Sequence, residues 1–189
     1  MRLTFATATE ADAAALAALR NAAADHLTEQ YGQGPWSGKT TDKQVRFFMR
    51  TSRVLIVRHG TEIVGILSLS TRKPWAILRS YLDPNAPHHF TIVKRPLYLT
   101  NMAVAPDKQR QGIGRLLLKQ AATIARAWPV DSIRLDAYDV DSEAGAGKFY
   151  AKCGYREVAR ATYRKAPLIY FELVLRSPRP IRRSLGEGG

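Results

Sequence analysis

A single cysteine, Cys153, stands in the 189 residues, so the chain closes no internal disulfide and suits a reducing compartment. Acidic side chains are scarce as well: 16 Asp and Glu face 29 Lys and Arg, for a formal net charge of +13. That surplus attracts polyanions, among them nucleic acid, a phosphorylated cofactor or an acidic protein, without choosing between them. The stretch "RSPRPIRRSLGEGG" sets four arginines against Glu187, so it holds +3 and the body before it keeps +10. Long apolar runs are missing too. The longest alanine-leucine stretch, "AAALAALR", is far too short to span a bilayer, and "MRLTFATATEAD" lacks the cationic and apolar segments of a secretory signal. The expectation is a cytoplasmic protein with no membrane partner. No Cys/His set has zinc spacing, which predicts no metal, and Cys153 beside Gly154 reads as a small core residue rather than a nucleophile.

What is present fits one folded unit. Hydrophobic residues make up 46% and charged residues 24%, near the average for globular proteins. A short strand over 3–6 leads into an alanine-rich helix whose Leu16, Leu19, Ala23 and Leu27 share one face; Thr9 and Asp12 have the spacing of a capping box before it, and His26 falls at its end. A loop, "TEQYGQGPWSGKTT", precedes a second helix over 41–50. "RVLIVRHGTEIVGILSLS" reads as a hairpin turning at His59-Gly60. After a long connection, "LYLTNMAV" reads as a buried strand. A helix from Ile113 comes next, with Leu116, Leu117, Ala121, Ile124, Ala125 and Trp128 on one face and Pro129 past its end. "SIRLDAYD" is a further strand, residues 142–152 a short helix closed by Gly154, and two strands end the pattern. The order is β-α-α-β-β-β-α-β-α-β-β, a mixed α/β domain over residues 1–175 with a basic, flexible tail over 176–189.

The turn "APDKQRQGIGRLLLK" carries the chemistry. Glycines let an anion approach backbone amides, and a helix N-terminus offers unpaired N–H groups and the positive end of its dipole. Residues 106–126 hold five cations and one anion, Asp107. Two phosphate motifs can be excluded. Leu117 stands where a dinucleotide fingerprint needs its third glycine, and no Gly-Lys-Ser/Thr completes a Walker loop.

Val104-x-Pro106-x-x-Gln109-x-x-Gly112-x-Gly114, before an amphipathic helix, resembles motif A of the GNAT superfamily of acetyl-CoA-dependent N-acetyltransferases. "AGAGKFYAKCGYREV" resembles that family's motif B in Ala146, Phe149, Tyr150, Gly154 and Tyr155. Glu143 stands where many members carry an Asn that contacts the cofactor, and Gly145 and Gly147 fall inside the short helix, each costing it about 1 kcal/mol against Ala. The resemblance implies a single GNAT-like domain with a mixed, mostly antiparallel sheet of about six to seven strands and about four helices. It implies acetyl-CoA as co-substrate, with Gln109, Arg110, Gln111, Gly112, Ile113, Gly114 and Arg115 holding its pyrophosphate. It also implies that the strand of Met102, Ala103 and Val104 splays from its neighbour, freeing backbone groups for the pantetheine arm and the acyl oxygen.

By position in that motif Tyr150 implies the acid for the departing thiolate, with core packing beside Phe149 as the other reading. A phenol near ~10 donates to a thiol near ~8.5 only slightly uphill. An amine near pKa ~10.4 is only about 0.04% neutral at pH 7, so a base is needed. Asp136, polar in the apolar "IRLDAY", is the first candidate; Asp83 is another, and Asn101 can only orient a water. The aromatics Tyr31, Trp36, Trp75, Tyr81 and Phe90 fall in loops where the family builds its acceptor wall, with His88-His89 in the same region. Few carboxylates accompany them, which disfavours a polycationic acceptor. The implied partner is a primary amine on a small molecule or a protein, with homodimers frequent in the family. The other class of reading is a non-catalytic acyl-CoA or nucleic-acid-binding module, but the aromatics are not interleaved with cations as a single-strand platform needs.

Overall fold

A computed structural model of the chain describes residues 2–74, 95–140, 145–163 and 165–175. In chain order they form β1 (Leu3–Thr7), α1 (Ala13–Tyr31), α2 (Asp42–Met49), β2 (Arg53–His59), β3 (Glu62–Ser70), β4 (Pro96–Val104), α3 (Ile113–Ala127), β5 (Ser132–Tyr138), α4 (Gly147–Lys152), β6 (Arg156–Tyr163) and β7 (Ala166–Val174). The expected order of elements holds throughout. Asp83, Glu143, Trp75, Tyr81, Phe90, His88, His89 and the 176–189 tail lie outside the described residues.

Local chemistry sets the boundaries. The Thr9 amide donates to Asp12 Oδ2 at 2.8 Å, closing a 3-10 turn that feeds α1. Thr41 and Gln44 cap α2 reciprocally: the Gln44 amide donates to Thr41 Oγ1 at 3.2 Å and the Thr41 amide to Gln44 Oε1 at 2.8 Å. The β2–β3 turn is Gly60-Thr61, one residue later than the sequence suggests, because His59 pairs with Glu62 and Gly60 takes the positive φ of 62°. α1 continues to Tyr31, so His26 lies inside it.

The seven strands form one sheet in the order β1-β2-β3-β4-β5-β7-β6, antiparallel except where β4 runs parallel to β5. Residues 63–69 of β3 are buried without interruption, so both faces of the sheet are covered there. On one face α3 lies directly on β3: a Cβ added to Gly65 would come within 3.1 Å of Leu117 and 3.2 Å of Ile113. Helix α1, packed on α2, β3 and β4, covers the other face. The buried stripe of α3 is Ile113, Leu117, Leu118, Ala121, Ala122 and Ala125; Leu116, expected on it, is 40% exposed because it lies off that arc. Each fully buried large aliphatic stabilises the fold by about 1.5–3 kcal/mol.

Two features of β4 shape the space beside it. Ile66 pairs with Ala103 and Ser68 with Thr100, so Asn101 and Met102 together oppose Leu67 in a bulge, with Asn101 at φ 53°. On its other side β4 pairs with β5 only at Pro96–Ser132, Leu97–Ile133 and Tyr98–Arg134. Beyond Tyr98 the strands part, as the family resemblance implies. At the last joined pair a row of cross-strand neighbours, Tyr98, Arg134, Glu172 and Arg156, runs across four strands. Arg134 Nε donates to Glu172 Oε1 at 2.9 Å and Arg156 approaches Oε2 at 3.6 Å, with Arg134 and Glu172 both buried.

Candidate active site

The parting of β4 and β5 opens a cavity of about 600 Å³. Its floor is the β4 edge from Leu99 to Ala103. Asp136, Ala137 and Tyr138 of β5 flank it on one side, with Gly145, Ala146 and Tyr150 of the α4 region. Arg20, Ala23, Ala24 and Leu27, one face of α1, close the other side with the Trp36 loop. Among the described residues, the β5-facing backbone groups of β4 beyond Tyr98 have no strand partner. Burial follows the geometry: Leu97, Tyr98 and Leu99 are buried, whereas residues 100–104 are only half-buried.

Asp136 is half-buried on this cavity and burial pushes its carboxyl up to about 6, offset only by a hydrogen bond from its own backbone. The Tyr150 hydroxyl donates to Met102 Sδ at 3.7 Å. The Tyr150 ring packs among Phe149, Phe171 and Tyr155, with centroids at 5.3, 5.9 and 6.0 Å. Tyr150 is thus both a core residue and a cavity residue, and the two sequence readings are not exclusive. Burial, followed by the charge of Asp136, raises its phenol well above the usual range, so it stays neutral at any ordinary pH. Burial likewise pushes the Cys153 thiol up, with Arg115 pulling the other way, and leaves it a poor nucleophile.

Next to this cavity the motif A turn is built tightly. Gln109 Nε2 reaches back to the Val104 carbonyl at 3.2 Å, and Gln111 Nε2 to the Asp107 carbonyl at 3.1 Å. These two side chains brace the loop. Arg110 and Gly112 take φ of 59° and 84°, a reversal that turns the chain into α3. The N-cap residue Gly112 has no side chain to cap with, and the first amides, those of Ile113, Gly114 and Arg115, have no intrahelical acceptor. A Cβ on Gly112 would meet nothing within 4 Å, which leaves the backbone open to a ligand. Gly114 has a different reason: a Cβ there would press Phe149 at 3.1 Å and Met102 at 3.2 Å. That glycine lets α3, α4 and β4 meet.

Two expectations need correction. The short helix begins at Gly147, not at 142; Ala146 before it is left-handed, with φ 51°. Gly145 is therefore outside the helix. A Cβ there would lie 2.8 Å from the carbonyls of Tyr138 and Val140, so close approach to the end of β5 selects glycine. Tyr31 lies outside the cavity lining, whereas Trp36 is in it, held by an edge contact to Tyr138 at 6.2 Å and by the Tyr138 hydroxyl donating to the Pro35 carbonyl at 3.0 Å. Arg20 and Tyr138 had no sequence signal. A lone arginine in an alanine-rich helix looks like a solvated face until the fold turns it inward. Among the described residues no cluster of His, Cys, Asp and Glu is arranged to hold a metal ion, and no helix is long and apolar enough to cross a membrane.

The strands part beside the N-terminus of a helix led by Gly112. The profile of the acetyltransferase (GNAT) domain matches residues 50–157, more than half of the chain, and the protein belongs to that family. Solved structures share the fold at low identity. The structure of yncA of Salmonella typhimurium with its cofactor acetyl-CoA is 16% identical at a TM-score of 0.64, covering 93% of this chain and 95% of its own. The ribosomal-protein-S18-alanine N-acetyltransferase of Escherichia coli is 15% identical at 0.66, covering 95% and 98%. An aminoglycoside 6'-N-acetyltransferase complexed with coenzyme A is 15% identical at 0.63, covering 94% and 99%. No curated protein sequence matches the chain.

Proposed function

We propose that the chain is an N-acetyltransferase that moves an acetyl group from acetyl-CoA to a primary amine, with residues 1–175 as the enzyme and 176–189 as a basic tail. The observation that carries this reading is the split between β4 and β5, which sets a free strand edge, Asp136 and Tyr150 around one cavity next to the open N-terminus of α3.

The residues present fit the donor. The amides of Gly112, Ile113, Gly114 and Arg115, with Arg110 near them, would hold its pyrophosphate, and Gln109 and Gln111 keep that loop in shape. The edge of Met102, Ala103 and Val104 would pair with the pantetheine amides. Acetyl-CoA supplies the activated acyl group.

The chain's own residues handle protons and water. Asp136, ionised above about pH 6, takes the proton that the amine must lose. Tyr150 donates its hydroxyl proton toward the departing sulfur. Its raised pKa does not prevent this, because the same desolvation raises the pKa of a thiol in that cavity and keeps the exchange near balance. Phe149, Phe171 and Tyr155 keep water from that end of the cavity.

Two measurements test the proposal. Acetyl-CoA raises the melting temperature, and thiol is released from it in the presence of a suitable amine. Absence of a melting shift at millimolar acetyl-CoA defeats the donor assignment. A shift without thiol release from a broad amine panel makes the protein an acyl-CoA-binding module instead.

A further inference from the structure

The charges lining the cavity do not cancel. Lys39, on the rim, forms an ion pair with Asp25. Arg20 is half-buried, with its guanidinium held over the Phe48 ring at 5.6 Å from the centroid, and it has no carboxylate partner among the described residues. Burial lowers its pKa, and among the described residues Tyr138 is the one group that offsets this. Asp136, on β5, has no cation acting on it among the described residues. Tyr138 feels both, Asp136 raising its pKa and Arg20 lowering it, so it stands electrostatically between them. A partly desolvated charge without a counter-ion is costly, and a protein tolerates two of opposite sign in one cavity where a ligand completes both.

We propose that Arg20 recognises the acceptor, and that the acceptor is a small amino acid whose amine faces Asp136 and whose carboxylate faces Arg20. This rests on reading the cavity as the transfer site. A guanidinium presents a planar pair of donors that matches a carboxylate, and stacking on Phe48 fixes its plane in advance. Among the described residues lining the cavity Arg20 is the one cation without a carboxylate, since Lys39 is engaged by Asp25, and one guanidinium suits a monoanion better than a phosphate. The Trp36 wall, tied to Tyr138 and to α1 through Asn21 and Thr40, limits the acceptor to something small.

The test is thiol release from acetyl-CoA with matched acceptors: a free amino acid, its amide, its decarboxylated amine, its aminophosphonate analogue and a short peptide ending in the same residue. The wild type should favour the free acid over the amide by on the order of 10- to 100-fold in kcat/KM, mostly through KM. Arg20→Gln should bring that ratio close to one, and Arg20→Lys should leave an intermediate ratio. Equal use of acid and amide by the wild type overturns the proposal, as does a preference for the peptide, the decarboxylated amine or the phosphonate. A carboxylate preference that survives in Arg20→Gln overturns it too. If Arg20→Gln fails to fold by its own melting curve, the wild-type ratio and Arg20→Lys decide. Thiol release without carboxylate preference defeats this assignment alone, whereas no release with any amine defeats the transferase reading as well.

Discussion

Strands β4 and β5 are joined at one end and parted at the other, and the two ends treat charge in opposite ways. At the joined end Glu172 and Arg134 are buried together, in line with Tyr98 and Arg156 across four strands. At the parted end, two residues further along β5 on the same face, Asp136 stands in a cavity with no cation acting on it among the described residues. The same strand thus carries one charge neutralised to hold a shape and one left unneutralised. The first ties β5 to β7 at the last joined pair of β4 and β5; the second is available for chemistry. Replacing one should damage stability first, and replacing the other should damage activity first.

Breaking the joined end has the largest expected effect. Glu172→Ala leaves the Arg134 guanidinium buried without its carboxylate and should cost about 3–5 kcal/mol, read as a lower urea midpoint. Next comes Asp136→Asn, which should lower kcat/KM by roughly 100-fold while raising stability. The sign comes from the raised carboxyl. The folded protein holds the Asp136 proton up to about pH 6, whereas the unfolded chain releases it near pH 3.8. Stability due to this group is therefore complete below about pH 4 and lost as pH rises through 6. Asp136→Asn should accordingly melt higher than the wild type at pH 8, by on the order of 2 kcal/mol, with the gap closing near pH 4. A variant less stable at pH 8 would place Asp136 with the structural charges instead.

Tyr150→Phe removes only a hydroxyl bonded to the Met102 thioether, so the fold should hardly change. Its expected mark is a loss of about 10-fold in kcat with KM for acetyl-CoA unaltered, measured at saturating amine. The smallest effect is Gly114→Ala, where Phe149 and Met102 must give by tenths of an ångström. A cost of about 1 kcal/mol in thermal unfolding is expected, with a raised KM for acetyl-CoA.

Much of this was legible before the fold. The helix start at Ile113 is set by the left-handed Gly112 before it, and the Thr9–Asp12 pair marks the entry to α1. Asp136 stood out as a polar residue in an apolar strand. Arg134 in that strand and Glu172 in "YFELV" carried the same kind of signal, and only their register shows that they answer each other. The bulge at Asn101 was hidden because two residues opposing one is a property of the pairing, not of either strand. The extent of the parting is likewise a count of β4–β5 pairs, so the family resemblance could imply it and the residues could not. Arg20 was hidden for the same reason. What it faces depends on where α1 lies over the split.

The pH dependence of kcat/KM tests the division between the two ends most directly. In the wild type the amine arrives as its ammonium and passes one proton to ionised Asp136, so log kcat/KM should climb with slope one below about pH 6 and then level off until the amine's own pKa is reached. In Asp136→Asn the slope should be one throughout, at lower rate. An unchanged bend near pH 6 in Asp136→Asn would contradict the account and assign the proton to another group.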